Sequence, residues 1–154
     1  MEYIGNKALL DYVKTGFLAS SHIDVSDVMA CYEWALQKPK PGAAVISGFS
    51  SKMEKDVFDF LLKAHTPVIW VLARRPYKSL PPDIQQAIDN DKLLIISTST
   101  AARQTKENAF KRNEYIAMVA DKLIFTGVTE SSSLYPLTEK YKNKIIELPK
   151  KKGE

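Results

Sequence analysis

Phe110-Lys111-Arg112-Asn113-Glu114-Tyr115-Ile116-Ala117-Met118-Val119-Ala120-Asp121-Lys122-Leu123-Ile124-Phe125 runs from a helical segment through Asp121 straight into an apolar strand. The strand half, residues 122–126, lacks the polar alternation of a half-solvated strand, so it reads as one covered on both faces. Similar runs occur at 16–20, 43–47, 67–73 and 93–97, with a weaker one at 144–148. Helical stripes fall between them. Val28, Met29, Tyr32, Ala35 and Leu36 form one, and Met53, Val57, Phe60, Leu61 and Ala64 form another. A shorter helix is predicted to begin at Pro81-Pro82 and end near Asn90-Asp91. This order predicts an α/β, Rossmann-like, doubly wound fold. Its sheet is mainly parallel, of five or six strands, with helices on both faces. The chain reads as a single domain over residues 1–149 with a basic tail at 150–154.

At 154 residues the chain is long enough to bury a core without staples. Its 45% apolar and 26% charged residues suit a soluble globular protein. A net charge of +4 leans towards an anionic partner. The charge is clustered at Arg74, Arg75 and Lys78, and again at Arg103, Lys106, Lys111 and Arg112; Lys150-Lys151-Lys152 reads as a solvated run. The single cysteine, Cys31, excludes an intramolecular disulfide and points to a reducing compartment. Met1-Glu2-Tyr3-Ile4-Gly5-Asn6 lacks the pattern of a signal peptide, and no apolar run is long enough to cross a bilayer. A cytoplasmic protein with no membrane partner is expected.

In such a sheet, ligands meet the carboxyl ends of the strands, close to helix N-termini. A helix opening at Lys111-Arg112-Asn113 places a guanidinium fork and an amide there, beside backbone N–H groups that favour anions; Arg112 reads either as such a phosphate fork or as a structural arginine that bonds strand-end carbonyls. Ser47-Gly48-Phe49-Ser50-Ser51 joins a strand to a helix. Ser51 and Glu54 have capping-box spacing, and the turn reads either as an anion site or as an ordinary connection. Arg74 and Arg75 end the third predicted strand and either clamp phosphates or are solvated. Ser97-Thr98-Ser99-Thr100 ends the fourth and leads into a polar loop running to Lys106, while Glu130-Ser131-Ser132-Ser133-Leu134 follows the fifth. His22, after Ser20-Ser21, is placed to touch a ligand; with only His65 besides, no metal site is expected, and no cofactor either. The dinucleotide fingerprint, the P-loop and the nucleophile elbow are absent, and nothing in the sequence forces an enzyme.

Taken in order, these motifs resemble the Rossmann-like core of the DNA-processing protein A family. The family's Ser-Gly-hydrophobic-Ala-Arg-Gly-Ile-Asp is matched by Ser47 through Glu54. Its Arg-Asn-Arg-x-Ile-Ala signature is matched by Arg112-Asn113-Glu114-Tyr115-Ile116-Ala117, and its Ser-Gly-Ser-Leu by Ser131-Ser132-Ser133-Leu134. The departures are Ser51, Lys52 and Glu54 for the family's Arg, Gly and Asp, Phe58 for its His, His22 for the arginine of the first turn, and Glu114 for the second signature arginine. The family protects incoming single-stranded DNA and helps load recombinase in natural transformation.

The resemblance therefore implies a non-enzymatic single-stranded DNA-binding protein with a recombinase partner, and leaves a homodimer open. In this reading phosphates run along Arg74, Arg75, Lys106, Lys111 and Arg112. Asn113 and the serine turns, Ser20 and Ser21 among them, hold the backbone, and Tyr77, Phe49 or Tyr115 stack bases. The alternative is a protein that binds or hydrolyses a phosphate-bearing nucleotide in the same cleft. The related phosphoribohydrolases carry Pro-Gly-Gly-x-Gly-Thr-x-x-Glu, which this chain lacks.

Overall fold

Phe17 and Leu18, Val45 and Ile46, and Leu94 and Ile95 are adjacent pairs in which each residue is buried on the opposite side of a strand. Both faces of the sheet are therefore apolar, which is why the strands show no alternation. The computed structural model describes residues 1–149; the basic tail expected at 150–154 lies outside them. In chain order the elements are β1 (Glu2–Gly5), β2 (Val13–Ala19), α1 (Val25–Ala35), β3 (Ala43–Ser47), α2 (Lys52–Lys63), β4 (Val68–Leu72) and α3 (Pro82–Asp89). There follow β5 (Leu93–Ser97), α4 (Lys106–Val119), β6 (Lys122–Thr126) and α5 (Tyr135–Lys140). Short 3-10 turns cover Lys7–Asp11 and Lys142–Lys144.

The strands form one six-stranded sheet in the order β1-β5-β4-β3-β2-β6. All neighbours are parallel except β1, which runs antiparallel to β5. Residues of α1, α2 and α3 cover one face, meeting Phe17, Val45 and Ile95. The other face is covered by α4, by the segment around α5 and by the first 3-10 turn, over Leu18, Ile46, Ile69 and Leu123. The chain steps outward from β2 to β5, then returns through α4 to lay β6 against the far side of β2. That reversal is a topological switch point, and a cleft opens at the carboxyl ends of the strands around it. Among the described residues no helix is long and apolar enough to cross a membrane.

Four expectations change. The antiparallel β1 is absent from the sequence reading; its exposed residues at a sheet edge carry no buried pattern, and it is held instead by main-chain pairing such as Tyr3 with Ile96. The weak strand at 144–148 reduces to one parallel bridge between Ile145 and Leu123. There Lys144 Nζ donates to the carbonyls of Ala117, Met118 and Ala120 at 2.9–3.0 Å, binding the preceding turn to the end of α4. The first parallel strand starts at Val13, ahead of the expected 16. Finally, α4 begins at Lys106 rather than near Arg112, because the Thr105 hydroxyl caps it by accepting from Asn108 N at 3.0 Å.

Candidate functional site

The cleft at the switch point encloses about 460 Å³. Ser20, Ser21 and His22 enter it from the end of β2, and Ser50 and Ser51 from the turn after β3. Thr129, Ser131, Ser132 and Ser133 enter from the loop after β6, and Gln104 and Asn113 close the side towards α4. Glu54 and Arg112, only 4% and 2% exposed, form its floor.

The floor is already bonded. Ser51 Oγ accepts from Glu54 N at 3.3 Å, completing the expected capping box. Glu54 Oε1 accepts from Ser50 N at 2.9 Å and Ser51 N at 3.3 Å, and Oε2 accepts from Ala19 N at 2.9 Å. The Ser50 and Ser51 amides just ahead of α2, expected to grip an external anion, are thus occupied by an internal one. Arg112 is likewise committed. Its Nε donates to Asn113 Oδ1 at 2.8 Å, Nη1 to the Val71 carbonyl at 3.2 Å and Nη2 to Ser50 Oγ at 3.2 Å. Burial draws the Arg112 pKa down, and the Glu54 carboxylate acts in the other direction. The expectation of a free fork at a helix N-terminus is corrected. Arg112 lies within α4, and its guanidinium joins β4, the Ser50 turn and Asn113.

Ser47, Gly48 and Phe49 lie beneath the cleft and do not line it. A Cβ on Gly48 would overlap the Arg112 guanidinium, so glycine is required there by an internal side chain. Phe49 adopts φ 46°, accepts no solvent-facing role and stacks on Phe58 with ring centres 4.4 Å apart. Its amide donates to Ser47 Oγ at 3.1 Å. Phe49 is therefore a core residue rather than a base-stacking surface. Tyr115 is half-buried against the α4-side core, where burial raises its hydroxyl pKa.

The other cations occupy a second place on the same edge, with Arg75, Arg103 and Lys106 exposed and Arg74 half-buried, its Nε donating to the Arg75 carbonyl at 2.9 Å. Arg75 N donates to the Ala101 carbonyl at 2.8 Å, and Ser97 Oγ donates to the Arg74 carbonyl at 2.5 Å. These bonds lock the loops after β4 and β5 together, bringing Arg74 and Arg75 onto the loop that carries Arg103 and leads to Lys106. The Arg74 guanidinium lies 4.0 Å from the centre of the Tyr77 ring, which itself stacks on Trp70. Lys106 and Lys111 are exposed on α4, and Lys111 meets Glu107 at 3.2 Å. The structure thus separates the predicted residues into a neutral, hydroxyl-lined cleft, a buried floor and a basic rim. The sequence reading missed Gln104 and Thr129, which only the folded loops bring to the cleft. It also missed the reach of Glu54 to Ala19, although the capping box marked that residue.

No protein-family model and no curated protein matches the chain. Solved structures do. The chain superposes on DNA processing protein A from Streptococcus pneumoniae with a TM-score of 0.74 at 16% identity, over 96% of this chain and 54% of that one. It matches DNA processing protein A from Helicobacter pylori, described for its single-stranded DNA binding mode, with a TM-score of 0.72 at 19% identity. That match covers 99% of this chain and 73% of the other. The chain thus spans about half of the pneumococcal protein. The shared six-stranded α/β architecture is the fold that the sequence motifs resemble.

Proposed function

We propose that this protein binds single-stranded DNA along the carboxyl edge of its sheet, in the cytoplasm and without catalysing a reaction on it. The observation that carries the reading is the division between a neutral cleft and a basic rim. A ligand that answers both is a chain of alternating charged and uncharged groups, whose phosphates follow Arg74, Arg75, Arg103 and Lys106 while its other parts enter the cleft. The likeness to a fold whose Helicobacter pylori member binds single-stranded DNA supports this reading. So does the chemistry of the cleft. Its one carboxylate among the described residues, Glu54, is held by three backbone amides and is poorly placed to move a proton.

The second reading, a single nucleotide in the cleft, is favoured by the cleft's place at the switch point and by a volume within the usual small-ligand range of about 300–1,000 Å³. Fluorescence anisotropy with a labelled thymidine oligomer of about 20 nucleotides, longer than the usual site of one small binding fold, separates the two when run beside a mononucleotide. Binding of the oligomer at low salt is expected. A mononucleotide bound with the oligomer ignored would replace the first reading by the second.

A further inference from the structure

We infer that a pocket at the amino ends of β2, β3 and β6 is a second binding site, which takes a small aromatic carboxylate. It lies on the opposite edge of the sheet from the cleft and stands independently of the strand-binding reading. Val13 opens β2 and lines the pocket, whereas Ser20 follows the last residue of β2 and lines the cleft. At the rise of an extended strand the two lie about 20 Å apart. The pocket encloses about 370 Å³, a size usual for small-ligand sites.

The body of the pocket is apolar, lined by Val13, Trp34, Val45, Leu61 and Ile146. The half-buried Trp34 ring stacks on Phe17 with ring centres 5.4 Å apart, so the indole is held in place and offers a flat ligand an aromatic wall. The surrounding backbone is fixed as well. Pro39 and Pro41 stiffen the loop between α1 and β3. Its end is tied by Ala43 N to the Lys40 carbonyl at 3.2 Å and by Val13 N to the Gly42 carbonyl at 2.9 Å. Ile146 N donates to the Leu123 carbonyl at 2.9 Å, which seats the wall that Ile146 supplies.

The charge is of one sign. Lys38, Lys40 and Lys122 line the pocket, and no carboxylate does. None of the three forms a salt bridge among the described residues. Asp121, beside Lys122 in sequence, is engaged by Lys14, whose amide donates to it at 2.8 Å and whose ammonium lies 3.6 Å away. Three like charges around an apolar space repel one another, and an anion among them relieves that repulsion. Two further donors line the pocket without a partner among the described residues: the Trp34 indole N–H and the hydroxyl of Thr66, a residue only 7% exposed. Neither is sealed from solvent. A flat apolar body with a carboxylate head answers the aromatic wall, the lysines and these donors together.

Calorimetry with naphthoate and its neutral counterpart naphthamide, which share one ring system, tests this on the intact protein. Naphthoate should bind about tenfold more tightly, the effect of a charge interaction at partial burial. Lys38→Gln combined with Lys122→Gln should lower naphthoate affinity by about tenfold and leave naphthamide unchanged. Val13→Trp, which sets a large ring against the pocket, should abolish binding of both. These substitutions fall on exposed residues, and circular dichroism checks that the fold is kept. The wild type gives a readout of its own. On adding naphthoate the Trp34 indole N–H signal in a nitrogen–proton correlation spectrum should shift, while that of Trp70, bonded to the Gly48 carbonyl at 3.1 Å, should not. Trp70→Phe assigns the two signals.

Absence of naphthoate binding at millimolar concentration overturns the inference, as does equal affinity for naphthamide or an unmoved Trp34 signal. Displacement of naphthoate by a thymidine oligomer would put it at the strand site and overturn the inference too. Naphthoate bound at Trp34 with no oligomer bound would support the pocket and remove the strand.

Discussion

Arg112 occupies the position of a core residue, and its consequences are energetic before they are functional. Removing it as Arg112→Ala strands the Val71 carbonyl, Ser50 Oγ and Asn113 Oδ1, and leaves Glu54 without its nearby cation. With charged hydrogen bonds worth about 1.5–3 kcal/mol each, a loss of about 3 kcal/mol or more is expected. In a chain of this size that lowers Tm by roughly 6–12 °C, read by calorimetry. Gly48→Val should cost about 1–3 kcal/mol by overpacking against the same guanidinium. A double-mutant cycle makes the link specific: in the Arg112→Ala background the Gly48→Val penalty should shrink, because the clashing group is gone. Additive penalties would show that Gly48 is constrained by something else. The sequence marked both residues and left each two readings, a ligand contact or a structural part, and the internal bonds of Arg112 and its closeness to Gly48 support the structural one. Burial of an arginine depends on which way its helix faces, and that was set by the Thr105 cap, hidden in a polar loop.

At the scale of elements, α1 and α2 are tied by Asp56. It accepts from Lys52 Nζ at 2.8 Å and from the Tyr32 hydroxyl at 2.9 Å. These bonds, that from Lys52 first, hold the Asp56 carboxyl below its usual range against some desolvation. Asp121 is held down chiefly by the amide of Lys14, which donates to it at 2.8 Å and joins β6 to β2. A carboxyl whose folded pKa is depressed stabilises the fold fully above its unfolded value, near 3.8, and loses that contribution as pH falls through the folded value. Urea unfolding should therefore show the midpoint falling below about pH 4, with a modest slope because both groups are partly exposed and screened. Asp56→Asn should flatten that slope, and an unchanged slope would show that Asp56 contributes nothing to it. The parallel strands and α2 were legible because apolar runs and a local capping box carry them. The edge strand β1 was not, since its register comes from β5 and not from its own residues.

For the whole molecule, the question is where the charge acts. The sequence placed Arg112 and Lys111 with Arg74, Arg75 and Lys106 in one phosphate track. Folding sends Arg112 to the core and pairs Lys111 with Glu107, whereas Arg103 joins the rim through its loop. The topology was legible from the alternation of elements, but which loops meet is fixed by long-range bonds such as Arg75 N to the Ala101 carbonyl. If four rim cations each neutralise one phosphate, the logarithm of affinity should fall with the logarithm of salt at a slope of about −3, near −0.7 per phosphate on a single strand. Arg75→Ala should reduce that slope by about 0.7 with little effect on stability, since the side chain is exposed. Any affinity lost in Arg112→Ala should leave the slope unchanged, because a buried guanidinium releases no counterions. Filter binding over a salt series, with each variant checked by circular dichroism, reads both. A slope reduced by Arg112→Ala and untouched by Arg75→Ala would move the phosphates from the rim into the cleft and overturn the division on which the proposed function rests.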